Sequence, residues 1–199
     1  ATDPDGDPLT YSYTWYVDGV LYGSGASDTI PEEDTAKGQV WMVEVVASDG
    51  AWESGTATDD IVIQNTPPSI EDVDISPDSP SAEDTLTCAY SGYYDLDGDP
   101  DSSRYDWYVN GVLVGSGDSL SGEFSSGDTV TCTVTPNDGE DDGTPVSDTI
   151  VIGNTAPTVL RALLSPDPAY ETSTMVCTPD GVSDPDGDTS FTYAYRWEV

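Results

Sequence analysis

From Ser69 to Ile152 the chain alternates apolar and polar residues in short runs, each closed by a cluster of Gly, Pro, Asp or Ser. Successive side chains of a strand point to opposite faces, so a period of two predicts strands with one face buried. The pattern predicts strands over Ser69–Ile75, Thr85–Tyr90, Tyr105–Val109, Val112–Val114, Thr129–Thr135 and Asp148–Ile152. Asn110-Gly111 separates the third from the fourth. These residue types accept the positive φ that a two-residue hairpin turn demands. No stretch carries the period of an amphipathic helix. The chain is predicted to be all-β.

The pattern repeats. Asn65-Thr66-Pro67-Pro68 returns as Asn154-Thr155-Ala156-Pro157, a shift of 154 − 65 = 89. The same shift carries Ile61-Val62-Ile63 onto Ile150-Val151-Ile152, and Cys88 onto Cys177. Asp3-Pro4-Asp5-Gly6-Asp7 reappears at Asp95–Asp99, and again at Asp184–Asp188. Repeats of about 90 residues, each with some seven short strands, have the size and rhythm of an Ig-like sandwich. The sequence therefore predicts tandem Ig-like β-sandwiches, one complete and two partial. Residues 1–65 are read as the C-to-G part of one repeat, 66–154 as a complete repeat, and 155–199 as the A-to-C part of the next. The first and last motif copies lie near the two ends of the chain, which predicts a segment of a longer array.

Cysteine placement fits this frame. Cys88 falls on strand B, Trp107 on C and Cys132 on F, the order in which Ig domains pack a tryptophan against an inter-sheet disulfide. A Cys88–Cys132 bridge is expected, and with it an oxidising, extracellular setting. The other reading is two buried free thiols. Repeat one has Val43 at the F-strand position, and the partner of Cys177 is not given by the sequence.

Tyr-x-Trp-x-Val-[Asp/Asn]-Gly after the Asp-rich motif, with a later [Ser/Asn]-Asp-Gly, resembles the Ig-like repeats of very large bacterial surface proteins. It is similar to polycystic-kidney-disease-type and bacterial cadherin-like modules. Val17-Asp18-Gly19 and Val109-Asn110-Gly111 stand where the former usually have Phe-Gly-Asp-Gly. The resemblance implies a bacterial stalk, spacer or adhesive element at the cell surface.

Charge narrows the partners. Four Lys plus Arg stand against 39 Asp plus Glu, a net charge of −35. Phosphate backbones need basic side chains, so nucleic acid is excluded. No apolar run is long enough to span a membrane, and no direct membrane insertion is expected. The chain has no His, which excludes a Ser-His-Asp or Cys-His nucleophile and a His-containing zinc site. No enzymatic role is expected. Neighbouring repeats of the same chain or filament are the expected partners.

One motif offers chemistry. Asp95, Asp97 and Asp99 alternate around Gly98, suiting a hard cation that takes six to eight oxygen ligands. The loop is not an EF-hand: its Gly is fourth, and the twelfth position holds Asp106. In a sandwich the B–C and F–G loops share one pole, which brings in Asp138 and the linker at Gln64–Thr66. Calcium is the expected ion, with Asp3, Asp5, Asp7 and Asp49 as the candidate set of repeat one. Asp184, Asp186 and Asp188 are the candidates of repeat three. The competing reading is a series of solvated turns. The sequence thus predicts a structural segment of an extracellular filament, stalk or surface protein, stiffened by calcium at domain junctions. The alternative is an adhesive module for a carbohydrate or protein.

Overall fold

The computed structural model describes residues 1–198. Its elements are strands joined by turns, with one short 3-10 turn at Glu32–Asp34. No helix among the described residues is long and apolar enough to cross a membrane. The chain forms two compact units. The first comprises Ala1–Pro68, Tyr94–Pro100 and Asp138–Asp142; the second comprises Ser69–Tyr93, Asp101–Asn137 and Gly143 onward.

The first unit is built on β1 (Thr10–Val17), β2 (Val20–Gly25), β3 (Val40–Ser48) and β4 (Ala57–Val62). They form one antiparallel sheet in the order β2-β1-β3-β4. Trp15 lies opposite Val43, and Val17 opposite Trp41. Trp41 is buried and meets Tyr22 edge-on with ring centroids 4.9 Å apart. Trp15 stays half-buried, its indole N–H donating to the Ser27 carbonyl at 3.2 Å.

The second unit contains a closed sandwich. β5 (Asp72–Ser76), β6 (Leu86–Ser91) and β9 (Ser119–Leu120) make one sheet. β7 (Arg104–Val109), β8 (Val112–Ser116), β10 (Thr129–Thr135) and β11 (Val146–Val151) make the other, ordered β11-β10-β7-β8. This is an Ig-like β-sandwich. Alternation decides its core. Val130, Cys132 and Val134 point inward from β10, while Thr131 and Thr133 face out and pair their hydroxyls with Thr149 and Ser147. Trp107 is fully buried, and its indole N–H donates to the Gly117 carbonyl at 2.9 Å. That bond satisfies the ring's one polar atom. Cys88 and Cys132 are bonded across the sheets with Cα atoms 6.4 Å apart, and Cys177 is free.

Turn chemistry fixes the β7–β8 register. Asn110 and Gly111 take φ of 49° and 81°, the left-handed pair that a tight hairpin requires. The Asn110 side chain also accepts from the Thr129 amide at 3.1 Å and donates to Asp128 at 2.7 Å, tying the turn to β10. Asp18-Gly19 repeats the device, Asp18 accepting from the Val40 amide at 2.9 Å. One edge residue breaks the apolar pattern. Asp148, opposite Cys132 on β11, turns inward and accepts the Ile75 amide at 2.9 Å.

The second unit also holds a hairpin of β12 (Thr158–Ser165) and β13 (Val176–Ser183). Residues 189–198 form no strand, although Tyr193, Tyr195 and Trp197 alternate as Tyr105, Trp107 and Val109 do. A strand needs a neighbour for its amides. β7 pairs with β10 and β8, and residues 189–198 pair with no such strands.

Candidate metal centre

The acidic loop Asp95–Asp99 belongs to the first unit, together with Asn65, Lys37 and Asp138–Asp142. Each acid has a distinct task. Asp95 Oδ1 accepts the amide of Asp99 at 2.8 Å and so closes its own loop. Gly98, at φ 78°, supplies the left-handed bend between them. Asp97 Oδ2 accepts the Thr66 amide at 2.7 Å, fixing the chain just after Asn65. Asp99 meets the Lys37 ammonium at 2.7 Å, and the same ammonium contacts Glu140. These two carboxylates, Asp99 foremost, raise the Lys37 pKa well above that of a free lysine.

Asn65 links the two loops. Its amide nitrogen donates to Asp138 at 2.7 Å and to Asp141 at 3.0 Å. Asp138 Oδ1 accepts the amides of Glu140 and Asp141, each at 2.7 Å. The Asn65 bond, followed by these amides, holds the Asp138 carboxyl down at about 2. A depressed carboxyl stabilises the fold above its ordinary pKa and loses that contribution as it protonates. The stabilisation from Asp138 is therefore complete above the ordinary value of 3.8 and disappears as pH falls toward 2. Asn65→Ala should move the Asp138 titration midpoint upward toward 3.8, read by NMR of the side-chain carboxyl carbon. An unchanged midpoint would show that the backbone amides alone depress it.

Two oxygens at this pole lack a hydrogen-bond donor. Asn65 Oδ1 and Asp95 Oδ2 are both buried, and neither has a partner. Since its nitrogen faces two carboxylates, the Asn65 amide cannot be turned the other way. A buried acceptor without a donor costs about 1–3 kcal/mol. Oxygens of Asp95, Asp97 and Asp99 lie within 4.8 Å of one another. Three carboxylates with no nitrogen or sulfur ligand make a donor set for a hard cation such as calcium. The residues present fit that ion.

The remaining predicted acids are placed differently. Asp3 Oδ1 accepts the amides of Asp5 at 2.8 Å and Asp7 at 3.1 Å. Asp49 accepts the amides of Ala51 and Trp52, which lower its pKa, the Trp52 amide most. In the second unit Asp184 accepts the Asp186 amide at 2.9 Å, Asp186 accepts the Thr155 amide, and Asp188 is exposed. Among the described residues, Asp95, Asp97 and Asp99 are the trio whose ligand oxygens converge. Two contributors stand outside the Asp-rich motif. Lys37 is 62 residues from its partner Asp99, and no local pattern marks it. Asn65 was legible only as part of the linker string.

No protein-family model matches the chain, and no curated protein matches it. Solved structures do resemble it. A two-domain fibronectin type III segment of chicken tenascin is 16% identical, with a TM-score of 0.39, over 71% of this chain and 83% of that one. The FN1–FN3 domains of chicken CNTN1 are 14% identical, with a TM-score of 0.35, over 74% of this chain and 56% of that one. The fibronectin(III)-like modules of Clostridium thermocellum CbhA are 20% identical, with a TM-score of 0.31, over 76% and 82% respectively.

Proposed function

We propose that this chain is a structural segment of an extracellular stalk, filament or surface protein, in which a calcium ion at the acidic pole stiffens the linker. The observation that carries the reading is the convergence of Asp95, Asp97 and Asp99, with a buried, donorless oxygen on Asp95 itself. Asp95, Asp97 and Asp99 would hold the ion, which supplies positive charge where carboxylates crowd. Asp97 already grips the Thr66 amide, so a cation on Asp97 is tied directly to the linker. The Cys88–Cys132 bridge supports an oxidising, extracellular setting.

Calcium sites of extracellular modules have Kd values of about 10⁻⁴–10⁻³ M. At about 10 mM calcium such a site adds roughly 1.4–2.7 kcal/mol to the unit that holds it. Thermal unfolding in calcium and in chelator should differ by that amount, and Asp95→Ala should remove the difference. X-ray scattering should show a stiffer chain with calcium, whereas sodium chloride of equal ionic strength should not reproduce the effect. Superimposable melts and scattering profiles in calcium and chelator would overturn the reading.

A further inference from the structure

Lys37 is the one lysine in a chain with 39 acids, and it stands at the acidic pole. Its ammonium lies 2.7 Å from Asp99 and also contacts Glu140, so one side chain joins both acidic loops. The turn that carries it is braced on both sides. The Gly38 amide donates to the Ile63 carbonyl at 2.9 Å, and the Ile63 amide donates to the Gln39 carbonyl at 2.9 Å. Gln39 Oε1 accepts the Ala36 amide at 2.8 Å and the Trp41 indole N–H at 2.9 Å. Lys37 is therefore held by its backbone close to the two carboxylates that it meets.

The three convergent acids have unequal partners. Asp95 Oδ1 and Asp97 Oδ2 are spent on backbone amides, which the fold keeps in place. Asp99 Oδ2 is spent on the lysine, whose ammonium ends a flexible four-carbon stem and can move. A divalent ion entering among the three acids meets a like charge at Asp99 alone. It must either share that carboxylate with the ammonium, at the cost of their repulsion, or displace it. Displacement strands no charge, because Glu140 lies outside the convergent trio and still accepts the lysine. Lys37 also stands beside the approach to Asp97. A cleft of about 870 Å³ is lined by Glu32, Glu33, Lys37, Thr66, Leu96 and Asp97.

We propose that Lys37 is the resident counter-ion of the acidic pole, clipping the two loops together without metal and setting the calcium concentration at which an ion replaces it on Asp99. This rests on the calcium reading and adds its regulation. Because the ammonium is tethered, its effective concentration at Asp99 is high, and dissolved monovalent cations compete poorly with it. A divalent ion bound by three carboxylates at once competes well. The lysine thus converts a general affinity of acids for cations into a threshold that favours divalent ions.

The test is calcium titration calorimetry on the full chain in about 0.15 M sodium chloride, near physiological ionic strength. Lys37→Met keeps the apolar stem and removes the charge. It should bind calcium on the order of tenfold more tightly, the scale of one like-charge contact near a protein surface. Lys37→Arg keeps the charge and should stay within about threefold of the unmodified chain. Calcium bound by other carboxylates is subtracted with Asp95→Ala, in which adding Lys37→Met should change nothing. In chelator, Lys37→Met should unfold the first unit at a lower temperature than the unmodified chain does, and saturating calcium should remove the deficit.

Each outcome decides. Calcium binding by the unmodified chain with equal or weaker affinity in Lys37→Met overturns the proposal and leaves the calcium reading standing. A lysine effect that persists in Asp95→Ala acts outside the trio and overturns it as well. An unchanged melt of Lys37→Met in chelator shows that the lysine does not hold the loops, with the same consequence. Calcium binding by Lys37→Met but not by the unmodified chain supports the proposal in its strongest form. Binding by neither chain overturns both readings together.

Discussion

Replacing Trp107 by alanine should lower the unfolding free energy of the sandwich by about 3–5 kcal/mol, the range for a large aromatic removed from a core. The ring is fully buried, its N–H is spent on Gly117, and it lies opposite Cys132 on the neighbouring strand. No backbone shift refills a space of that size. Trp15→Ala, at the equivalent position of the first sheet, should cost far less, about 1–2 kcal/mol, because its ring is already half in water. Urea titration of the two variants, followed by tyrosine and tryptophan fluorescence, would resolve two transitions moving by unequal amounts. Equal losses would mean that the first sheet is covered in solution as fully as the sandwich, at the protein concentration used.

Reducing the Cys88–Cys132 bridge should cost the sandwich about 3–4 kcal/mol in the chain-entropy account. The cysteines are separated by 44 residues, so the bridge removes a large loop from the unfolded ensemble. Both sulfurs lie in the core, and Cys132 is fully buried. Reductant should therefore act only after partial unfolding. Cys132→Val mimics what repeat one does with Val43 and should reproduce most of the loss without reductant. A change below about 1 kcal/mol would show that core packing, not the cross-link, holds the two sheets together.

How far the sequence revealed the fold depended on strand length and on who the partner was. β10 spans Thr129–Thr135, as the alternation predicts, because Val, Cys and Val face a core while β-branched Thr faces water. β9 was invisible. Two residues, Ser119 and Leu120, carry no period, and the strand exists only because β6 offers it a ladder. Tyr193, Tyr195 and Trp197 show the converse, a strand pattern in a segment that forms none. Alternation states which face would be buried; it does not supply the neighbour.

The acidic pole was legible as a motif and opaque in its division of labour. Nothing in Asp95–Asp99 says that the first acid closes the loop while the second holds the linker amide. The contact from Asp97 to Thr66 spans 31 residues, and that from Asp186 to Thr155 spans the same 31. A fixed spacing between each linker and its Asp-rich motif was the available signal. Lys37 had none, because the repeat-two position beside Gly127, equivalent to its own beside Gly38, holds Ser126. Both glycine amides bond the same point of the fold, Gly38 to the Ile63 carbonyl and Gly127 to that of Ile152.

The inward carboxylate of Asp148 also bears on how two such molecules could meet side by side. β11 is an edge strand, and an open edge is a template on which a foreign strand can zip. A strand aligned flush along β11 would crowd a charge already committed to Ile75, next to the disulfide. Asp59 and Asp60 occupy the middle of β4, the corresponding edge of the first sheet. Ribbon-like, side-by-side aggregation is thereby penalised along both edges, even where the chain is concentrated.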